Sequence, residues 1–291
     1  MFGVEFVMRQ KIWVPPERPK TKKDDDCDAY VKTISSDRIH LRLYSPDNRT
    51  NLLVYNENIR RLVLYFHGNA EDLHSCNLYL AWLATNTDQN VLGVEYVGYG
   101  KSARDKEPTE KNMCEVADAA LYYACNTLGH KMHTITVVGR SLGSIPAVYL
   151  ASQRMNAGLG GLILISALAS GARCMLPCAY IPASILSSLD SVFGGNILRM
   201  GDVQCMVLII HGDSDKDVPL ENAQALYQKC HQWCIPEIYV VKGGGHNDLA
   251  DRYGKEILRQ INAFKEQSAE TARLRSCEEE SQTPYESLIE I

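Results

Sequence analysis

The sequence predicts an α/β fold: a mainly parallel central sheet with an antiparallel N-terminal hairpin and helices on both faces. Three observations lead there. From residue 62 onward, short apolar runs alternate with longer stretches of helical pattern. Before them, two segments of alternating polarity flank a short polar turn. At residues 137–147, "VVGRSLGSIPA", a β-branched run passes through Gly-x-Ser-x-Gly straight into residues that read as helical.

The elements follow in order. "DAYVKTIS" (28–35) and "RIHLRLYS" (38–45) alternate about Ser36-Asp37 and predict the hairpin. "LVLYF" (62–66), "VLGVEY" (91–96), "TITVV" (134–138), "GLILIS" (161–166), "MVLII" (206–210) and "EIYVV" (237–241) predict strands buried on both faces. Helix-like stretches fall between them at 73–86, 113–128, 142–154, 220–232 and 249–266. Right-handed crossovers then gather the carboxyl ends of the strands, and with them any ligand site, along one edge.

Residues 1–27 read as an N-terminal arm, 28–267 as one domain, and 268–291, with "CEEESQ", as an acidic flexible tail. Residues 167–200 are too long for a simple crossover. They suit either a small cap insertion over a pocket or extra helices packed on the body.

Composition narrows the function classes. Of 291 residues, 45% are hydrophobic, enough for a sizeable core, and the formal charge of −5 argues against a nucleic-acid partner. No window reaches the roughly 18–20 apolar residues of a membrane span. Glu5, Arg9 and Lys11 break up the apolar N-terminus. The expectation is a cytoplasmic protein, peripheral where it meets membranes. Among the ten cysteines, "CMLPC" and "CHQWC" repeat a C-x3-C spacing, but they lack the clustered pairs of a zinc site. Packing is the expected role of these cysteines, and neither a metal nor another cofactor is expected.

Ser141 carries the chemistry. A serine at a sharp strand-to-helix turn takes a strained backbone conformation, and Gly139 and Gly143 would remove side chains where strand and helix approach. Pro146 falls in or beside the first helical turn, where its missing N–H costs little. The Leu142 N–H is then placed to donate to a developing oxyanion. A second donor is expected from "HGNAED" after the run at 62–66, where Gly68 allows a sharp turn before Asn69 and Ala70.

A hydroxyl needs a base, and a histidine base needs a carboxylate to orient it. Of eight histidines, His246 alone combines a strand end, a glycine run and a place late in the chain. His67 and His211 read as loop braces, while His40, His74, His130 and His133 read as surface residues. "HGDSDKDVP" offers Asp213, Asp215 and Asp217, and their alternation does not choose among them.

Together "HGNAEDL", "EYVGYGKS", "GRSLGSIPAVYLAS", "LIIHGDSDKDVP" and "GGGHNDL" resemble the α/β-hydrolase superfamily, within it the alpha/beta-hydrolase-domain subgroup that removes palmitoyl groups from proteins. The resemblance spans roughly residues 28–266. It implies Ser141 as nucleophile, Asp215 as acid, His246 as base, and Asn69 and Leu142 as the oxyanion-hole residues. It also implies an acylated protein or lipid-like ester as substrate. Similar sequences are also filed with prolyl-oligopeptidase-like serine peptidases. Two departures stand out: Glu95 replaces the usual aspartate before "GYG"-type residues, and no cysteine precedes Cys27, where membrane-acting members carry an acylated cluster. Against an esterase or thioesterase stand a serine peptidase and a non-catalytic, hydrolase-like binding protein.

Overall fold

The computed structural model describes residues 15–16, 27–46, 61–103, 105–176, 182–191, 193–230 and 237–282. Its strands are β1 (Asp28–Lys32), β2 (Arg38–Tyr44), β3 (Leu62–Phe66), β4 (Asn90–Val94), β5 (Ile135–Arg140), β6 (Gly161–Ile165), β7 (Val207–Gly212) and β8 (Tyr239–Val241). They form one sheet in the order β1-β2-β4-β3-β5-β6-β7-β8. The first two pair antiparallel, β2 lies antiparallel on β4, and every later pair is parallel. This is the architecture the sequence patterns predict.

Both faces of the parallel strands are apolar because each packs against its own layer. In β3, Leu62, Leu64 and Phe66 join one core, while Val63 and Tyr65 join the other. Strand β6 divides the same way, Leu162 and Leu164 against Ile163 and Ile165. The first core is closed by α2 (Glu110–Asn126), α3 (Ser144–Ser152), α6 (Asn196–Arg199) and α7 (Glu221–Cys230). The second is closed by α1 (Asn77–Thr87) and α8 (Leu249–Gln282), through Leu80, Leu83, Ile257, Ile261 and Phe264. The short helices α4 (Gly171–Met175) and α5 (Ala183–Leu189) complete the set.

Helix boundaries depart from periodicity where polar side chains set them. Thr109 accepts the Asn112 N–H, and Asn112 accepts the Thr109 N–H, a capping box that starts α2 before the apolar pattern begins. Asp72 and Ser75 bond each other's backbone, and this turn delays α1 to Asn77. The expected boundary at 267/268 falls inside α8, which continues to Gln282. Buried Ser268 sits against β6, and the strong helix formers of "AETARLR" carry the helix on from there. The proposed arm at 1–27 lies mostly outside the described residues, as does 283–291.

The 167–200 segment divides. Ala167, Leu168, Ala169 and Ala172 at its start, and Ile197 and Met200 at its end, belong to the core of the body. Met175 and Ile185 between them are exposed, while Ile181 lies outside the described residues. An ion pair fastens the excursion: the Arg173 guanidinium grips buried Asp190 at 2.7 and 2.9 Å, and Ser170 donates to the same carboxylate.

Two histidines read as surface residues are buried. His40 is covered by β1, where it meets Asp28 at 2.8 Å and the Tyr30 ring, and His130 packs at the end of α2. Polar neighbours in sequence misled, because the cover comes from a different strand or helix. Of the C-x3-C pairs, Cys178, His231 and Cys234 lie outside the described residues. Cys76, Cys205 and Cys230 are buried.

Candidate active site

Four strand ends on one edge of the sheet supply the site. At the end of β5, Ser141 takes φ 51°, a left-handed conformation that a non-glycine residue adopts at a cost of ~1–3 kcal/mol. The flanking glycines make the turn possible. A Cβ on Gly143 would lie 2.2 Å from the Phe66 carbonyl oxygen, and one on Gly139 would lie 2.6 Å from the Gly143 oxygen. Pro146 falls in the first turn of α3, where no N–H is needed.

Ser141 Oγ lies 2.9 Å from His246 Nε2, and His246 Nδ1 lies 2.8 Å from Asp215 Oδ2. The second oxygen of Asp215 accepts the N–H groups of Asp217 and Val218 at 3.0 and 2.8 Å. Burial pushes the Asp215 carboxyl up, but the hydrogen bonds from His246 and the Val218 N–H outweigh it and hold the group below its usual range. An ionised Asp215 can only accept, so His246 Nδ1 carries a proton and Nε2 is free to accept from the serine hydroxyl.

The other two aspartates are exposed. Asp213 accepts the Gly243 N–H at 2.7 Å and so braces the glycine run before His246, while the Asp217 carbonyl accepts the Cys174 thiol. His211 is buried behind the acid, donating from Nε2 to the Val218 carbonyl at 2.7 Å.

The loop after β3 crosses directly over the elbow: a Cβ on Gly68 would come 3.5 Å from Ser141 Cβ. Asn69 directly follows Gly68 and Leu142 directly follows Ser141, so the two residues flank this close approach. The Asn69 side chain accepts from the Tyr99 hydroxyl at 2.8 Å, and Tyr96 donates to the His67 carbonyl at 2.7 Å.

His67 is fully buried, and both its ring nitrogens face acceptors. Nδ1 lies 2.8 Å from the Gly68 carbonyl and Nε2 lies 2.8 Å from Glu95 Oε1. Only the doubly protonated ring donates to both. Burial disfavours that charge, but the adjacent Glu95 carboxylate outweighs burial and pushes the His67 pKa up. Glu95 also accepts the Leu73 N–H through Oε2 at 3.0 Å.

A dependence of stability on pH follows from these shifts. His67 titrates above its unfolded value of 6.5, so its contribution is complete below 6.5 and fades as pH rises through the raised value. Asp215 titrates below 3.8, so its contribution is present above 3.8 and is lost as pH falls through the lowered value. Urea unfolding followed from pH 6 to 9 should show an alkaline decline that is flatter in His67→Gln. Equal slopes in the two proteins would contradict the assignment.

Sequence reasoning passed over several residues here. Ser144 donates to the Ser141 carbonyl at 2.6 Å and accepts from buried Asn196 at 3.0 Å, tying the elbow to α6. Arg140, inside the Gly-x-Ser-x-Gly motif itself, pairs with Glu71 at 2.7 Å and donates to Asn247 at 2.8 Å. A charged residue ending an otherwise apolar strand was the available signal.

No family model matches the chain. The human alpha/beta hydrolase domain-containing protein 17B is 30% identical over 210 residues, covering 72% of this chain and 68% of that protein. The chain belongs to the alpha/beta hydrolase domain-containing proteins. Within this family, protein 17C of Xenopus tropicalis is 34% identical over 191 residues, which cover 65% of this chain and 57% of the relative. The matched part thus spans about two thirds of its relatives' length or less. An esterase of Pyrococcus furiosus shares the fold, with a TM-score of 0.64 at 16% identity, covering 87% of this chain and 99% of that one. Among the described residues of this family member, no helix is long and apolar enough to cross a membrane.

Proposed function

We propose that the protein is a serine hydrolase that cleaves acyl esters or thioesters, with S-palmitoylated proteins as the substrate class. The observation that carries this reading is the unbroken hydrogen-bond chain Ser141–His246–Asp215 behind a strained elbow. Family membership supports it, as does the resemblance to the depalmitoylating subgroup.

In this reaction, Ser141 Oγ attacks the acyl carbonyl while His246 Nε2 takes its proton. Asp215 holds the ring in the tautomer that makes this transfer possible. The N–H groups of Asn69 and Leu142 bind the oxyanion of the tetrahedral intermediate, each such donor being worth ~3 kcal/mol in the transition state. His246 returns the proton to the departing thiol or alcohol. A water then attacks the acyl-enzyme, again with His246 as base, releasing the fatty acid and free Ser141. A thiolate is a good leaving group, so no further acid is required. An acylated protein presents its chain at a membrane surface, so the protein works as a cytoplasmic enzyme in peripheral contact with membranes.

A panel of acyl thioesters, oxyesters and peptide amides of graded chain length tests the proposal. Turnover should be highest on long-chain thioesters or esters and negligible on amides. Turnover confined to amides would replace the proposal with a peptidase. An unlabelled Ser141 in the presence of a fluorophosphonate, with no turnover, would leave only a binding protein.

A further inference from the structure

Arg140 lies between Gly139 and the nucleophile, and its side chain is only 16% exposed. Each arm of its guanidinium meets a different loop. Nη1 pairs with Glu71 Oε2 at 2.7 Å, and that same oxygen accepts the Gly68 N–H at 2.7 Å. Nη2 donates to the backbone carbonyl of His246 at 3.1 Å and to Asn247 Oδ1 at 2.8 Å. A Cβ on Gly68 would stand 2.8 Å from Nη1 and 2.9 Å from the Glu71 carboxylate, so the glycine leaves room for this pair.

We infer that Arg140 is a positioning residue that locks the base loop and the oxyanion loop to the nucleophile strand at once. The need for such a lock lies in the sequence of the base loop. Residues 243–245 are three consecutive glycines, and they carry His246 at the end of a run with little conformational restraint of its own. Asp213 and Ser214 hold the first part of this run, through Gly243 N–H and the Gly244 carbonyl. Beyond it, Arg140 takes hold of residues 246 and 247. Its planar, forked guanidinium can bond in two directions together, which an ammonium at the end of a lysine chain cannot reproduce. The guanidinium itself is mostly shielded, while its bond to Asn247 is open to solvent.

The rate consequence rests on the proposed role of Ser141, whereas the mechanical consequence does not. The test therefore has two readouts on the full-length protein: the rate of covalent labelling by a fluorophosphonate, and hydrogen exchange of the peptides containing residues 67–72 and 242–248. Arg140→Met should slow labelling by about 10²-fold, the cost of a displacement near 1 Å in the reacting groups, and speed exchange in both peptides. On substrates, kcat should fall with KM nearly unchanged. Arg140→Lys should restore slow exchange to 67–72, through the retained pair with Glu71, but not to 242–248. Asn247→Ala removes a partner of one arm without touching the arginine, and should loosen 242–248 alone. Exchange in Arg140→Met and Asn247→Ala identical to that of the wild type would overturn the inference, as would full rescue of both peptides by lysine. If the wild type takes no label, the proposed reaction fails, and the exchange pattern still decides whether Arg140 is the lock.

Discussion

Ser141→Ala is expected to reduce acyl-ester or thioester turnover by roughly 10⁴- to 10⁶-fold, because the bond-forming atom disappears while the surrounding donors remain. The exposed consequences should be few. The hydroxyl is small and 8% exposed, and the left-handed turn is held by the glycines and by Ser144 rather than by the serine side chain. The variant should therefore fold with a melting temperature near that of the wild type, since alanine loses only one hydrogen bond. Intact-protein mass spectrometry after fluorophosphonate treatment should show one adduct on the wild type and none on the variant. Equal labelling of both would remove Ser141 from the reaction.

Asp215→Asn should produce the second largest loss, about 10⁴-fold in kcat. The amide can keep its oxygen toward the Asp217 and Val218 N–H groups, which the native carboxylate already serves. Its NH2 then faces His246 Nδ1 and demands an acceptor there. That forces the proton onto Nε2, where the serine hydroxyl needs a base. Asp213→Asn and Asp217→Asn leave the tautomer untouched and should cost less than tenfold, since neither carboxylate meets His246. Steady-state kinetics on the three variants discriminates between them; a dominant loss at Asp213 would reassign the acid.

The fold was legible because its signals are local. Runs such as "LVLYF" and "GLILI", apolar at every position and too short for a helix, read as strands covered on both sides, and the helices between them point to parallel pairing. The order of Ser141, the aspartates and His246 was equally plain, since each follows an apolar run. The choice among Asp213, Asp215 and Asp217 was not plain from their alternation and came only from the family resemblance, which implied Asp215. It depends on which carboxylate is drawn inward when Val218 N–H and Asp217 N–H close a turn around it, a feature of three dimensions. Arg140, Glu71 and Asn196 escaped notice for the same reason: each acts on residues that are brought near only by the sheet order. The long reach of α8 was missed because its outer half shows propensity without an apolar stripe, and periodicity sees only the stripe.

One methylene group also ties together two distant choices in this sequence. Glu95 extends far enough to hold His67 and the Leu73 backbone, and its carboxylate fills the space beside Gly100 so fully that a Cβ there would fall 1.9 Å from Oε2. A shorter aspartate would vacate that volume and surrender one of its two grips. Gly100 itself sits at φ 45°, so trimming Glu95 would open space there while the backbone still favours glycine.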